Sequence, residues 1–141
     1  MTDMVPVTIA GVVRFAEEGP ARGERFSIQL AEVAGSRRLY IGVGDAEAAA
    51  LAFSLQGTAF PRPMTYQFAA ALLGAAGSGV REVRVTSFTQ GIFYAQVVLL
   101  SGAVVDARPS DAVNLAAVTG APVSVARELL DLPTGPRQPA V

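Results

Sequence analysis

The chain has 141 residues, 51% of them hydrophobic and 16% charged, with a formal net charge of −1. That is enough for one domain with a real core, in a composition far from the disordered class, and it provides no overall basic field, so any contact with nucleic acid has to be local. There is no cysteine and no histidine, and all 11 basic residues are arginine, which excludes disulfides, thiolate chemistry, an imidazole base and a lysine nucleophile. No run reaches about eighteen apolar residues without a charge. The start, Met1-Thr2-Asp3-Met4, lacks the basic and apolar regions of a signal peptide. A soluble, cytoplasmic protein with no membrane partner is expected.

Val5 to Val13 is a β-branched run that predicts a strand, followed by a polar loop from Glu17 to Glu24. Phe26, Ile28 and Leu30 alternate with polar residues as in a half-buried strand, and Arg37 to Val43 is its hairpin partner across Ala34-Gly35-Ser36. At Gly44 the period changes. Ala48, Leu51, Ala52 and Leu55 recur at helical spacing, with Asp45 as the predicted N-cap and Gln56-Gly57 as the stop. Phe60-Pro61-Arg62-Pro63 is a stiff connection. It leads to a second helix capped by Thr65, with Phe68, Leu72, Leu73 and Ala76 on its predicted buried side.

A three-stranded meander is predicted next, first around Val83 and Val85, then along the apolar run Ile92 to Leu100, then from Ala103 to Asp106 after a two-residue turn at Ser101-Gly102. Phe93 and Tyr94 offer ring faces for stacking, but a strand this apolar assigns them to the core. A third helix runs from Ala112 to near Gly120, where Ala121-Pro122 prevents its extension. Val123-Ser124-Val125 forms a short strand and Arg127 to Leu132 a last helical turn or two. The reading is one α+β domain over residues 1–132, with a mixed, largely antiparallel sheet and three main helices. Residues 133–141 form a disordered tail.

Chemistry concentrates where charge does. Arg62-Pro63 and Arg108-Pro109 each precede a helix. Proline is favourable at a first helical position, and a helix start favours an anion, so each arginine is a candidate phosphate ligand. The alternative is that Arg62 and Arg108 pair with Glu47, Asp106 or Asp111 and lock the helix entrances. Asp106, at a strand end, and Asp111, in the first helical turn, are candidates to hold a divalent cation for phosphodiester hydrolysis. The alternative is that Asp111 caps its helix while Asp106 accepts from an arginine.

In order along the chain, Ile41-Gly42, Asp45-Ala46-Glu47-Ala48, Gly57, Pro61-Arg62-Pro63-Met64-Thr65, Gly91-Ile92-Phe93-Tyr94-Ala95 and Asp106-Ala107-Arg108-Pro109-Ser110-Asp111-Ala112 resemble the signature of the bifunctional nuclease family. The resemblance covers about Val7 to Leu130. It implies a compact α+β domain of bacteria and plants that associates as a homo-oligomer and carries DNase and RNase activity. By the same resemblance Glu47, Arg62, Asp106, Arg108 and Asp111 line one polar patch. Glu47, Asp106 and Asp111 are then catalytic, Asp106 and Asp111 the ligands of Mg²⁺ or Mn²⁺, and Arg62 and Arg108 the phosphate-binding groups on DNA or RNA. Where many relatives read Pro-x-Thr-His-Asp, this chain has Pro63-Met64-Thr65-Tyr66-Gln67. That departure opens a second reading, a weak or inactive member serving as a regulatory or phosphate-ligand-binding module.

Overall fold

The computed structural model describes residues 3–17 and 23–133, in which the alternating runs become two three-stranded meanders. The first comprises β1 (Met4–Glu17), β2 (Gly23–Glu32) and β3 (Arg38–Val43), followed by helix α1 (Asp45–Leu55). Helix α2 (Thr65–Ala75) leads into the second, β4 (Val80–Thr89), β5 (Ile92–Leu99) and β6 (Val104–Ala107), followed by helix α3 (Pro109–Thr119). Strand β7 (Val123–Ala126) and a 3₁₀ turn, Arg127–Asp131, complete the described elements. The core of the expected loop after Glu17 and residues 134–141 lie outside the described residues.

All seven strands form one sheet in the order β3-β2-β1-β7-β4-β5-β6. Each meander runs outward from the centre, and β7 joins the two, antiparallel to β1 and parallel to β4. The other neighbours are antiparallel. The domain is therefore α+β with a mixed, largely antiparallel sheet and three helices, as the sequence predicts. Among the described residues no helix is long and apolar enough to cross a membrane.

The sheet is not flat. Helix α3 touches β3, β4 and β5, and β3 and β5 are five strand spacings apart, about 24 Å if flat. A helix is only about 10–12 Å across, so the sheet curls around α3. Register shifts near Ile9/Gly11 in β1 and at Val80/Glu82 and Val85/Ser87 in β4 are the kind of bulge that bends a strand. The concave face holds Ile28, Leu30, Leu39, Ile41, Val83, Val85 and Val125, all buried, against Leu51 of α1 and Ala112, Val113 and Ala116 of α3. Each of the Val, Leu and Ile side chains contributes about 1.5–3 kcal/mol by leaving water. Period-2 alternation places these residues inside while Gln29 and Arg84 stay half-buried beside them.

Four local expectations need correction. Helix α1 is entered from Gly44 and α2 from Met64, so Asp45 and Thr65 are first helical residues and neither start has a side-chain cap bond. Both helices begin one residue early, which leaves Asp45 and Glu47 to complement the helix dipole. The β5–β6 turn spans Leu100 to Ala103, longer than two residues, with Gly102 at φ 92°. Tyr94 lies on the exposed side of β5, opposite buried Ala95, and only Phe93 packs toward the core. In α2, Phe68 and Leu72 are each 55% exposed and no residue is fully buried. Helical spacing marks an apolar stripe without saying what covers it, and among the described residues nothing does.

Candidate functional site

The stretch Asp106 to Asp111 carries the chain from β6 into α3. Arg108 is the extended N-cap of α3 and Pro109 its first residue, where a missing N–H costs nothing. In the first turn Asp111 returns toward Arg108. Arg108 Nε donates to Asp111 Oδ2 at 2.8 Å and Nη2 to Oδ1 at 3.0 Å, a two-pronged pairing that suits the planar guanidinium. The same Nη2 donates to Glu47 Oε1 at 3.2 Å. The Tyr66 hydroxyl, from the first turn of α2, donates to Asp111 Oδ1 at 2.6 Å. Three helices thus meet at one carboxylate–guanidinium cluster.

Asn114 sets the spacing between α1 and α3. It is fully buried, and its Nδ2 donates to the backbone carbonyls of Glu47 at 3.1 Å and Ser110 at 2.9 Å. Its Oδ1 is buried without a partner among the described residues. The bond to Glu47 fixes the first turn of α1 against α3 and so brings the Glu47 carboxylate to Arg108.

Electrostatics follow from these contacts. Hydrogen bonds from Arg108 hold the Asp111 carboxyl below its usual range, against the opposing effect of burial, and Tyr66 adds in the same direction. Burial, then the bond to Asp111, pushes the Tyr66 phenol well above its ordinary value. Asp111, then Glu47, pushes the Arg108 guanidinium higher still. At neutral pH Asp111 is therefore a carboxylate, Arg108 a guanidinium and Tyr66 a neutral phenol. Three of the five guanidinium N–H groups are used, and the two on Nη1 remain on a side chain that is 65% exposed.

Behind the cluster lies a groove of about 420 Å³. Ala69 and Leu73 of α2, Leu99 of β5, Val105 of β6 and Leu115 of α3 make it apolar, while Tyr66 and Asp111 close its polar end.

Of the five residues named from sequence, the fold brings together Glu47, Arg108 and Asp111. Arg62 is exposed in the α1–α2 connection and has no hydrogen bond or ion pair among the described residues. Val105 and Ala107 face the groove, so alternation turns Asp106 to the other side of the sheet, opposite Gln96. Sequence reasoning did not assign roles to Tyr66 and Asn114. The signal for Tyr66 was its location directly after Thr65, in the block Pro63-Met64-Thr65-Tyr66-Gln67 where the chain departs from the pattern it resembles. For Asn114 it was a lone amide in an apolar helix, one turn after Ser110. Among the described residues no three His, Cys, Asp or Glu side chains gather in a way that could hold a metal ion. Asp111 and Glu47 are engaged by Arg108 and Asp106 is across the sheet. These donors do not fit a divalent cation as arranged.

The chain belongs to the bifunctional nuclease domain family, whose pattern it matches over residues 28–134. Two proteins of Mycobacterium tuberculosis, from strains CDC 1551 and H37Rv, both named as uncharacterized, are each 40% identical to it over 101 residues, 72% of this chain. The chain spans 62% of the length of these relatives.

Proposed function

We propose that this protein binds DNA or RNA at the Arg108 cluster and hydrolyses phosphodiester bonds there, in the cytoplasm and as a homo-oligomer. One observation carries the reading: Arg108 is held rigid by Asp111 and Glu47, yet keeps both Nη1 hydrogens toward solvent. A guanidinium fixed in this way matches a phosphate oxygen pair and stabilises the charge that grows on it during attack. Glu47, the carboxylate with the single bond to Arg108, accepts the proton of the attacking water as its oxygen bonds to phosphorus, while the opposite P–O ester bond breaks and the leaving oxygen takes a proton from solvent. Asp111 and Tyr66 keep the guanidinium oriented, and Arg62 meets a neighbouring phosphate. No step runs through a metal ion.

Cleavage assays on single- and double-stranded DNA and RNA, with and without Mg²⁺ or Mn²⁺, test this. Arg108→Ala is expected to lower the rate by about 100-fold or more, Glu47→Gln comparably, and Asp106→Ala to leave it unchanged. Full activity in Arg108→Ala and Glu47→Gln sinks the reading.

A second reading has its own support. Arg108 spends most of its donors on protein carboxylates, and Tyr66 and Gln67 replace the histidine and aspartate that the family resemblance leads one to expect after Thr65. Both fit a regulatory module that holds a phosphorylated ligand without cleaving it. Inorganic phosphate would then raise the melting temperature of the wild type but not of Arg108→Ala, and no substrate would be cut.

A further inference from the structure

Helix α2 is built as an interior helix but lies at the surface. The segment Thr65–Ala75 contains no charged residue, and none of its residues is fully buried. A helix apolar all round is normally covered on every side. Its inner side roofs the groove through Ala69 and Leu73. Its outer side carries Met64, Phe68 and Leu72, spaced four residues apart, each at least half exposed.

Across the groove lies β6, the last strand of the sheet, which among the described residues pairs with β5 alone. Its outer backbone groups are free to pair with another strand. Val104 and Val105 are exposed there, as is Leu100 in the turn before it. Apart from Asp106, β6 has none of the charge, proline or bulge that keeps a free edge from pairing.

We infer that α2 and the β6 edge form the interface with a second copy of this chain. The inference rests on the self-association proposed above and assigns it to one face. Area favours a permanent partner. Met64, Phe68, Leu72, Leu100, Val104 and Val105 are each about half exposed, and at roughly 200 Å² for an aromatic residue and somewhat less for an aliphatic one they together leave on the order of 500–600 Å² in water. That reaches the upper end of the largest apolar patch on an ordinary monomer, a size that is often functional, and it is most of the roughly 800 Å² each partner contributes to a stable interface. A patch without charge in its middle also fits constant cover by an identical surface better than transient recognition. The strand edge is self-complementary. Antiparallel pairing of two β6 strands about a two-fold axis at Val105 sets Val105 beside its own copy and Asp106 opposite Val104, which keeps the two Asp106 carboxylates apart. The partner seals the apolar groove behind Tyr66 and Asp111, while Arg108 stays open to solvent.

Sedimentation velocity on the full chain, from low micromolar to about 100 µM, decides the matter. Wild type and a control remote from this face, Val33→Glu, are expected to sediment as dimers. Phe68→Glu, which alters an exposed helix position, and Val104→Lys, on the strand edge, are each expected to weaken association at least 100-fold while far-UV circular dichroism is retained. A wild type that stays monomeric throughout overturns this inference together with self-association and leaves the face to a different partner. A dimer that survives both substitutions overturns the assignment of this face alone.

Discussion

Tyr66, Asp111 and Arg108 form a chain of contacts in which each group settles the charge of the next. Replacing Tyr66 by phenylalanine removes one bond to a carboxylate that keeps two others, so a loss of about 1–2 kcal/mol is expected from urea unfolding. Titration gives a second test. A carboxyl depressed in the folded state contributes stability that is whole above its unfolded value and lost as pH falls through the folded one. Glu32, lowered chiefly by Arg37 from an ordinary 4.5, and Asp111, lowered chiefly by Arg108 from an ordinary 3.8, should both make the protein lose stability as pH falls past those values. Asp111→Asn should flatten the lower part of that decline in a melting series. Tyr66 acts at the other end: its folded value is raised, so its contribution is whole below its ordinary value of 10.0 and lost as pH climbs beyond it. The Phe variant should lose that alkaline decline. Much of this was legible at residue scale. The Arg-Pro start and the three-residue step from Arg108 to Asp111 predict their pairing, and Val105-Asp106-Ala107 alternates as a strand does, which was signal enough to turn Asp106 away. Glu47 is different. It lies 61 residues from Arg108, and only the crossing of two helices brings it there.

At the scale of elements, the helix that carries the cluster depends on how it ends as well as how it begins. Gly120 closes α3 with φ 76°, and its N–H bonds to the Ala116 carbonyl at 2.8 Å. A Cβ there would meet nothing within 4 Å, so Gly120→Ala has a purely conformational cost, expected near 1 kcal/mol in a thermal melt. The glycine followed by Ala121-Pro122 was a plain stop signal. Helix α2 was harder to read, because its sequence is apolar on every side and gives spacing without orientation. Phe68 and Leu72 satisfy a core pattern and yet point outward, since periodicity cannot say whether the covering surface belongs to the same chain. The meanders were legible because each has one wet face and one dry face. The order of the sheet was not, because a four-residue strand such as Val123–Ala126 does not announce that it lies at the centre.

For the whole molecule, that short strand is the joint. Val125 is fully buried between Val5 and Val85, one residue from each meander. Val125→Ala should cost about 2–3 kcal/mol and leave a single cooperative transition when followed by circular dichroism and fluorescence together. A split into two transitions would mean that the meanders hold themselves without β7. The joint also sets an order in time. Met4 pairs with Ala126, and Asp3 accepts from Arg127 at 2.6 Å, so β1 waits for β7, the latest-made of the described strands, before its inner edge is covered. At about 5–20 residues per second, that edge stays open for roughly 6–25 seconds of synthesis. The newborn β1 therefore spends its first seconds as an exposed, β-branched strand, the form most open to capture by a chaperone or by a neighbouring nascent chain.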